Sequence, residues 1–563
     1  MPLRRYAPAL IVAAALLLIV IVAPSRGSSG NGLPSYPGFS ASGDQTGAVG
    51  GSGASVTTGN GRNGSASAGG GAGATAGGGG NGAGQRGTGS SSSGGGRSGG
   101  GQSGAVHCAG GKQFVVPGFV AAPPCAGSFN GANGGTTYRG VSSKTIEIVL
   151  YQPKQSLALK AILGPAGLVA SPQQIHDFTA REQSFINSHY QLWGRQVHID
   201  TYISTSCQPS PPSDDCFRQD AHTVATKYHP FAVLFPRNLT APGFNQELSH
   251  LGVINFGGAG LPASFDTGQR PYHYDNDMDG DFQAELTGEW YCKEMANSKA
   301  RYAGSANLRA KARTAEILTD DTPEHVSAAQ HLGAIINHCD HGGGAVIKTF
   351  SPDTSQAVIQ STTLASQAKQ SGITSLLYFT DPVLPVFLTK QLTDQNYFPE
   401  NVLVGSGYLD FDGLAQLYDQ RQWANAFGPG DVADMASPSH YDAAAMYRST
   451  HGSMPEFSSA DNFQAFFSEL AAGLQQSGAN LNPGTFEHAM LTLPAWGGDR
   501  YHSLIKYGPN DYTGVSDARL VYWDRSRRSP VNGKTGTYVA LHAGHRYTLG
   551  QLPSGAFTIP GRH

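Results

Sequence analysis

Three groups of side chains in this sequence have types and spacings suited to chemistry. The first is the acidic run Asp275-Asn276-Asp277-Met278-Asp279-Gly280-Asp281. Carboxylates at alternate positions ahead of a glycine copy the first half of a calcium loop, in which hard oxygen donors gather around a hard cation. The twelfth position of such a loop supplies a bidentate glutamate; here it is Leu286, and Glu285 falls one place short. A simpler role competes: Asp279 or Asp281 accepts backbone N–H groups at the start of a helix near Phe282. The second group, His338-Cys339-Asp340-His341, is rich in zinc-ligand types but lacks the second cluster that a closed tetrahedral site needs. Neither a metal nor a cofactor is expected. The third group is the six cysteines, for which nearness in sequence favours Cys108 with Cys125, Cys207 with Cys216, and Cys292 with Cys339.

Catalytic signatures are missing from the chain beyond residue 104. It holds no G-x-S-x-G elbow, no G-x-x-x-x-G-K-[ST] phosphate loop and no H-E-x-x-H helix. The expectation is a protein that binds rather than one that catalyses.

Composition narrows the class further. Lys and Arg number 37 against 40 Asp and Glu, a net charge of −3, so no basic excess points to nucleic acid. One apolar run, 9–23, follows Arg4 and Arg5, which excludes a protein that crosses a membrane many times. Positive flank then apolar stretch is the pattern of an export signal, so 1–24 is either a cleaved signal peptide or an uncleaved anchor with its N-terminus inside. Both readings put the remainder outside the cytoplasm, where an even number of cysteines forms disulfides. Residues 25–104 are Gly, Ser, Ala, Asn and Thr with almost no large apolar side chain. Such a segment cannot offset its ordering entropy by burial, and ~80 residues of flexible coil reach roughly 50 Å. This is expected to be a tether, followed at 105–140 by a cysteine-containing extension.

From Tyr138 onward strand-like and helix-like segments alternate. Short apolar strands are expected at 146–151, 197–203, 231–235 and 253–256, with helices at 172–186, 218–228 and 244–251 between them. After a break at 271–281 the alternation restarts. Helices are expected at 282–295, 324–337, 354–371 and 385–396, and strands at 314–319, 345–350, 375–379 and 401–405. Phe463, Phe466, Phe467, Leu470 and Leu474 mark one apolar face of a helix over 462–476. The tail turns strand-like at 520–523, 538–541 and 557–559. Alternation of this kind yields parallel strands with crossover helices, hence two doubly wound α/β lobes. Ligands of such sheets bind beyond the strand C-termini, and clefts between domains are favoured sites.

Several segments resemble a known family. Tyr138-Arg139-Gly140-Val141-Ser142-Ser143-Lys144-Thr145-Ile146-Glu147-Ile148 is similar to the opening strand of type I periplasmic-binding proteins, the branched-chain-amino-acid-type receptors of ABC importers. Residues 231–237 with 253–260 resemble that family's third and fourth strands, and Asn480-Leu481-Asn482-Pro483-Gly484-Thr485-Phe486 resembles a helix-to-helix connection. Tyr507-Gly508-Pro509-Asn510-Asp511-Tyr512-Thr513-Gly514 with Trp523-Asp524 looks like the closing hairpin of actinobacterial members. The resemblance implies lobe 1 over 141–275 plus 436–495, lobe 2 over 276–435 plus 496–563, and a hinge of several strands. It implies ligand contacts in lobe 1 from Arg237, Asn238, Thr240, Gly258 and Ala259. In lobe 2 it implies Asp320, Thr322, Thr380, Asp381 and Tyr408. Arg237 would clamp a carboxylate and Asp381 an ammonium, against the alternative that Asp381 caps the helix after Pro382. The Ser/Thr pair that holds an amino acid in the family is replaced by Gly257-Gly258-Ala259-Gly260, which argues against an amino-acid ligand. The implied function is capture of a small polar solute for delivery to ABC permease subunits. A sensory or scaffold module of the same fold is the first alternative, and a cell-envelope enzyme the second.

Overall fold

The structure is a computed structural model that describes residues 108–109, 112–113, 116–210, 213–235, 241–258, 260–405, 409–452 and 460–562. The expected signal or anchor, the tether and the Cys108 side chain lie outside the described residues. Among the described residues no helix is long and apolar enough to cross a membrane.

The first sheet is wholly parallel and contains β1 (Thr145–Gln152), β2 (Gln196–Ile203), β3 (Ala232–Leu234), β4 (Ile254–Phe256) and β5 (His273–Tyr274) in the order β2-β1-β3-β4-β5. Its alternating side chains divide between two buried faces, as a sheet covered on both sides requires. Ile146, Ile148 and Leu150 of β1 join one core and Val149 and Tyr151 the other. The crossovers are α2 (Pro172–His189), α3 (Asp214–Tyr228) and α4 (Pro242–His250), while a shorter helix, α1 (Leu157–Leu163), lies in the β1–α2 connection. Helix α2 starts where its sequence says: Ser171 and Gln174 form a capping box ahead of Pro172. Helix α3 begins four residues earlier than expected, because Ser213 caps it and Asp214 and Asp215 suit the positive end of its dipole.

The second sheet repeats this order. Its parallel part, β7-β6-β8-β9-β10, comprises β6 (Ala315–Asp320), β7 (Ala345–Phe350), β8 (Ser375–Tyr378), β9 (Glu400–Leu403) and β10 (Ala426–Gly430). Three antiparallel strands extend it: β11 (Ala518–Arg528), β12 (Thr535–Ala540) and β13 (Arg546–Tyr547). Helices α5 (Gly280–Trp290), α6 (Pro323–Cys339), α7 (Ala357–Ser371) and α8 (Leu384–Asp394) surround it. Two doubly wound lobes are therefore present. The helix expected over 282–295 is present, α-helical to Trp290 and π-helical over Tyr291–Met295. One tail reading needs correction. The strand expected over 557–559 is absent: Phe557 and Ile559 are buried, and the Tyr302 hydroxyl donates to the Phe557 carbonyl and accepts from the Ile559 N–H instead of a strand partner.

After β10 the chain returns to the first lobe as α9 (Asp442–Ser449), α10 (Ala460–Gln476) and α11 (Pro483–Thr492). The apolar face of α10 enters the same core as β1, as does Phe486 of α11. Phe486 is fully buried, with ring centroids at 5.8 Å from Phe231, 6.3 Å from Phe256 and 5.5 Å from Tyr274. Cys207 is bonded to Cys216 and Cys292 to Cys339. The third expected bridge, Cys108 with Cys125, involves a side chain outside the described residues.

Phe486 joins the returning helices to two strands of the first sheet and to Phe231, the residue that leads into a third. Phe486→Ala is expected to cost about 3–5 kcal/mol, because its neighbours cannot collapse into the space it leaves. Urea unfolding followed by tryptophan fluorescence reads this as a lower midpoint for the first lobe.

Candidate functional site

In both sheets the parallel strands run toward a common region. At one side of it the loops beyond the edge strands β2 and β7 meet: Ser210 Oγ lies 2.9 Å from Thr354 Oγ1 and accepts the Thr354 N–H at 2.7 Å. At the other side the glycine loop after β4 lies against α5. The Gly280 N–H donates to the Leu261 carbonyl at 2.8 Å, and a Cβ on Gly280 would fall 2.4 Å from the Gly260 carbonyl oxygen. Only glycine permits that approach. Two contacts between the lobes thus flank the region beyond the strand C-termini.

The lobe 2 wall is acidic. Strands β6 and β8 are neighbours in register, with Leu318 opposite Tyr378, so their ends bring Asp320 and Thr322 beside Thr380 and Asp381. Asp320 is buried; its Oδ1 accepts the Thr322 N–H at 3.0 Å and its Oδ2 lies 2.6 Å from His325 Nδ1. Burial alone would raise the Asp320 pKa, but His325 and Thr322 outweigh it and hold this carboxyl below the usual range. Asp381 is placed oppositely. Burial pushes its carboxyl up to about 6, the Val383 N–H donated at 2.6 Å opposes that, and the charge on Asp320 adds to it. The capping role foreseen for Asp381 is not met: α8 has Val383 at its N-cap with no side-chain cap, and Asp381 instead receives the Val383 N–H in the turn ahead of it.

The lobe 1 wall is backbone. Gly257 and Gly258 adopt φ of +131° and +126°, and a Cβ on Gly257 would sit 2.3 Å from the Phe235 carbonyl oxygen. Beneath the loop lies a buried polar network. The Asn245 side-chain amide donates to the Gly257 carbonyl, His273 Nδ1 is 2.7 Å from Asn255 Oδ1, and His273 Nε2 is 3.0 Å from Asp266 Oδ1. Burial depresses the His273 imidazole to about 3 and drives the Asp266 carboxyl well above its ordinary value. Burial thus disfavours the charged form of both groups.

Of the expected contact residues, Asp320, Thr322, Thr380 and Asp381 are gathered at one wall and Gly258 lies in the opposite loop. Arg237, Asn238, Thr240, Ala259 and Tyr408 lie outside the described residues. Residue-type reasoning missed His325. Its place one helical turn beyond Thr322-Pro323 was a usable signal, since a side chain there turns back toward the strand end. The acidic run resolves as well: Asp279 accepts the Phe282 N–H at 2.7 Å and caps α5. Among the described residues the acidic and histidine groups able to share one ion are Glu147, His198 and Asp200, far from this run in sequence.

No protein-family model matches the chain, and no curated protein matches it. Solved structures do. A fatty acid ABC transporter substrate-binding protein from Thermomonospora curvata aligns over 74% of this chain and 97% of its own, with 12% identity and a TM-score of 0.50. An ABC transporter substrate-binding protein from Aeropyrum pernix aligns over 72% and 96%, with 11% identity and a TM-score of 0.50. An ABC transporter solute-binding protein from R. palustris, in complex with 4-hydroxybenzoate, aligns over 72% and 97%, with 12% identity and a TM-score of 0.50. At such identities the likeness establishes the fold: the chain has the type I periplasmic-binding fold.

The raised Asp381 pKa carries a sign that can be checked. The folded state holds a proton that the unfolded chain releases near its ordinary carboxylate pKa, so stability falls as pH rises from about 4 to about 6. Asp381→Asn keeps an acceptor for the Val383 N–H and removes the charge. It is expected to flatten that fall and to stabilise the protein at pH 7 by about 1 kcal/mol, a value discounted for the partial exposure of the side chain. Thermal unfolding at a series of pH values reads the difference.

Proposed function

We propose that this chain is an extracytoplasmic solute-binding protein that closes on a small ligand between its lobes and presents it to the permease subunits of an ABC importer. The observation that carries the reading is the pairing of an acidic wall, Asp320 and Asp381, with a glycine loop across the space where two parallel sheets end. That layout is a recognition cleft: fixed charge on one side and backbone N–H and C=O groups on the other. The fold supports it, since the aligned structures are titled as substrate-binding proteins of ABC transporters.

The ligand class follows from the charge. Asp381 and Asp320 repel each other, and among the described residues no lysine or arginine is bonded to either. A ligand bearing an ammonium or amidinium group supplies the missing cation, and Thr322 and Thr380 offer hydroxyls beside it. The glycine loop selects for a partner that accepts backbone hydrogen bonds. The cleft holds its solute without altering it.

A thermal-shift screen of amines, amides, amino acids, sugars and small aromatics tests the reading. A native-state ligand at 100 Kd adds ~2.7 kcal/mol, which is readily seen. Cationic members are expected to stabilise the protein and Asp381→Ala to abolish their effect. A cation also expels the Asp381 proton, so its affinity is expected to rise between pH 5 and pH 7. Stabilisation that survives Asp381→Ala, or chemical turnover of the bound compound, would overturn the assignment.

A further inference from the structure

The β1–α2 connection departs from the compact crossover that a parallel sheet needs. Residues 153–170 leave lobe 1 at the C-terminal end of β1 and return at Ala170, whose side chain lies in the lobe 1 core. The Gln155 side-chain amide donates to the Ala170 carbonyl at 3.0 Å and ties the two stems together. The result is an Ω-shaped loop, a compact excursion with its ends held close. Within it, Ser156 caps α1 through the Leu159 N–H at 3.0 Å, and Gly167, at φ +73°, turns the chain back.

The tip of this loop does not rest on lobe 1. Leu163 and Leu168 pack against the lobe 2 core that contains Leu409, Leu414 and Trp523. Lys534 of lobe 2 donates its ammonium to the Pro165 carbonyl at 3.3 Å, and a Cβ on Gly413 would come within 3.7 Å of the Ala166 carbonyl oxygen. A second bridge between lobes stands beside it, the Ser210–Thr354 pair, in which Ser210 also donates to the Pro352 carbonyl at 3.2 Å. Both bridges start from the strand C-termini of lobe 1, so both span the mouth of the cleft and neither belongs to the crossing segments of the hinge.

We propose that residues 155–170 form a clasp that latches lobe 1 to lobe 2 across the cleft mouth without a ligand, and that its release precedes exchange of the solute. Leu163 and Leu168 supply the adhesive contact, and Ser210 reports its closure because its hydrogen bonds form only when the lobes meet. The inference rests on the two-lobed fold and the contacts above, not on the identity of the solute.

Hydrogen exchange by mass spectrometry on the full chain, with no ligand added, provides the test. In the wild type, peptides over 157–170 and the amide of Thr354 are expected to be protected. Leu163→Asp with Leu168→Asp is expected to speed exchange over 157–170 and 409–417 by roughly tenfold or more, since half-burying two leucines outweighs one factor of ten in an equilibrium. The decisive readout is Thr354, which neither substitution touches: its exchange is expected to quicken too, while β6 and β8 stay protected. The milder pair Leu163→Ala with Leu168→Ala is expected to give the same order with smaller factors, which separates release of the clasp from damage to the lobes. An unprotected 157–170 segment in the wild type would overturn the proposal. So would a Thr354 amide that both variants leave unchanged.

Discussion

The relative placement of the lobes depends on how three chain segments cross between them without separating. Asp275 and Thr513 pair as neighbouring extended residues: the Asp275 N–H donates to the Tyr512 carbonyl and the Gly514 N–H to the Asp275 carbonyl, at 2.9 and 2.8 Å. The middle segment joins through the Asp434 N–H, which donates to the Arg500 carbonyl at 3.0 Å. Two buried arginines complete the joint. Arg519 donates to the Val432 carbonyl and to Asp434, and Arg546 to the Asp431 carbonyl and, at 2.8 Å, to Asp517. Burying such pairs offsets much of their attraction by desolvation, so they are better understood as fixing geometry than as adding stability. Their carbonyl contacts to 431–432 hold the crossing strand against β11, and every distance across the cleft inherits that constraint.

A fixed joint matters because the two walls are built on different principles. Lobe 2 offers side-chain charge from strand ends in register. Lobe 1 offers backbone from a loop whose shape is held from beneath by Asn245, His273 and Asp266. That network is buried, and burial disfavours charge on His273 and Asp266, so it supports the loop from beneath.

Much of the layered fold is legible in the sequence because it rests on local periodicity. Alternation in β1, the capping box at Ser171 and the apolar face of α10 each encode an element within a few residues, and the strand at Ala345–Phe350 falls where its residues place it. What is illegible depends on distant partners. The tail at 557–559 looks like a strand by composition, yet it is bonded to Tyr302, more than 250 positions away. The 153–170 excursion carries apolar residues with no period to interpret, because Leu163 and Leu168 face another lobe. The acidic wall is half legible. Position in the strand order points to Asp320 and Asp381, but their unequal ionisation depends on His325 and on burial, which no spacing reveals.

That inequality gives the wall its chemistry. Two carboxylates at the ends of adjacent strands cannot both ionise cheaply when water is excluded. His325 and the Thr322 N–H resolve the conflict in favour of Asp320, which stays charged, and Asp381 carries the proton as the medium approaches pH 6. Among the described residues Asp320 is therefore bonded to an imidazole, while Asp381 receives the Val383 N–H and the Thr380 hydroxyl. On the reading proposed above, a cation arriving at this wall meets one carboxylate already bonded to an imidazole and one that takes up a proton near pH 6. Recognition on that reading falls on Asp381, while the charge on Asp320 helps hold its proton.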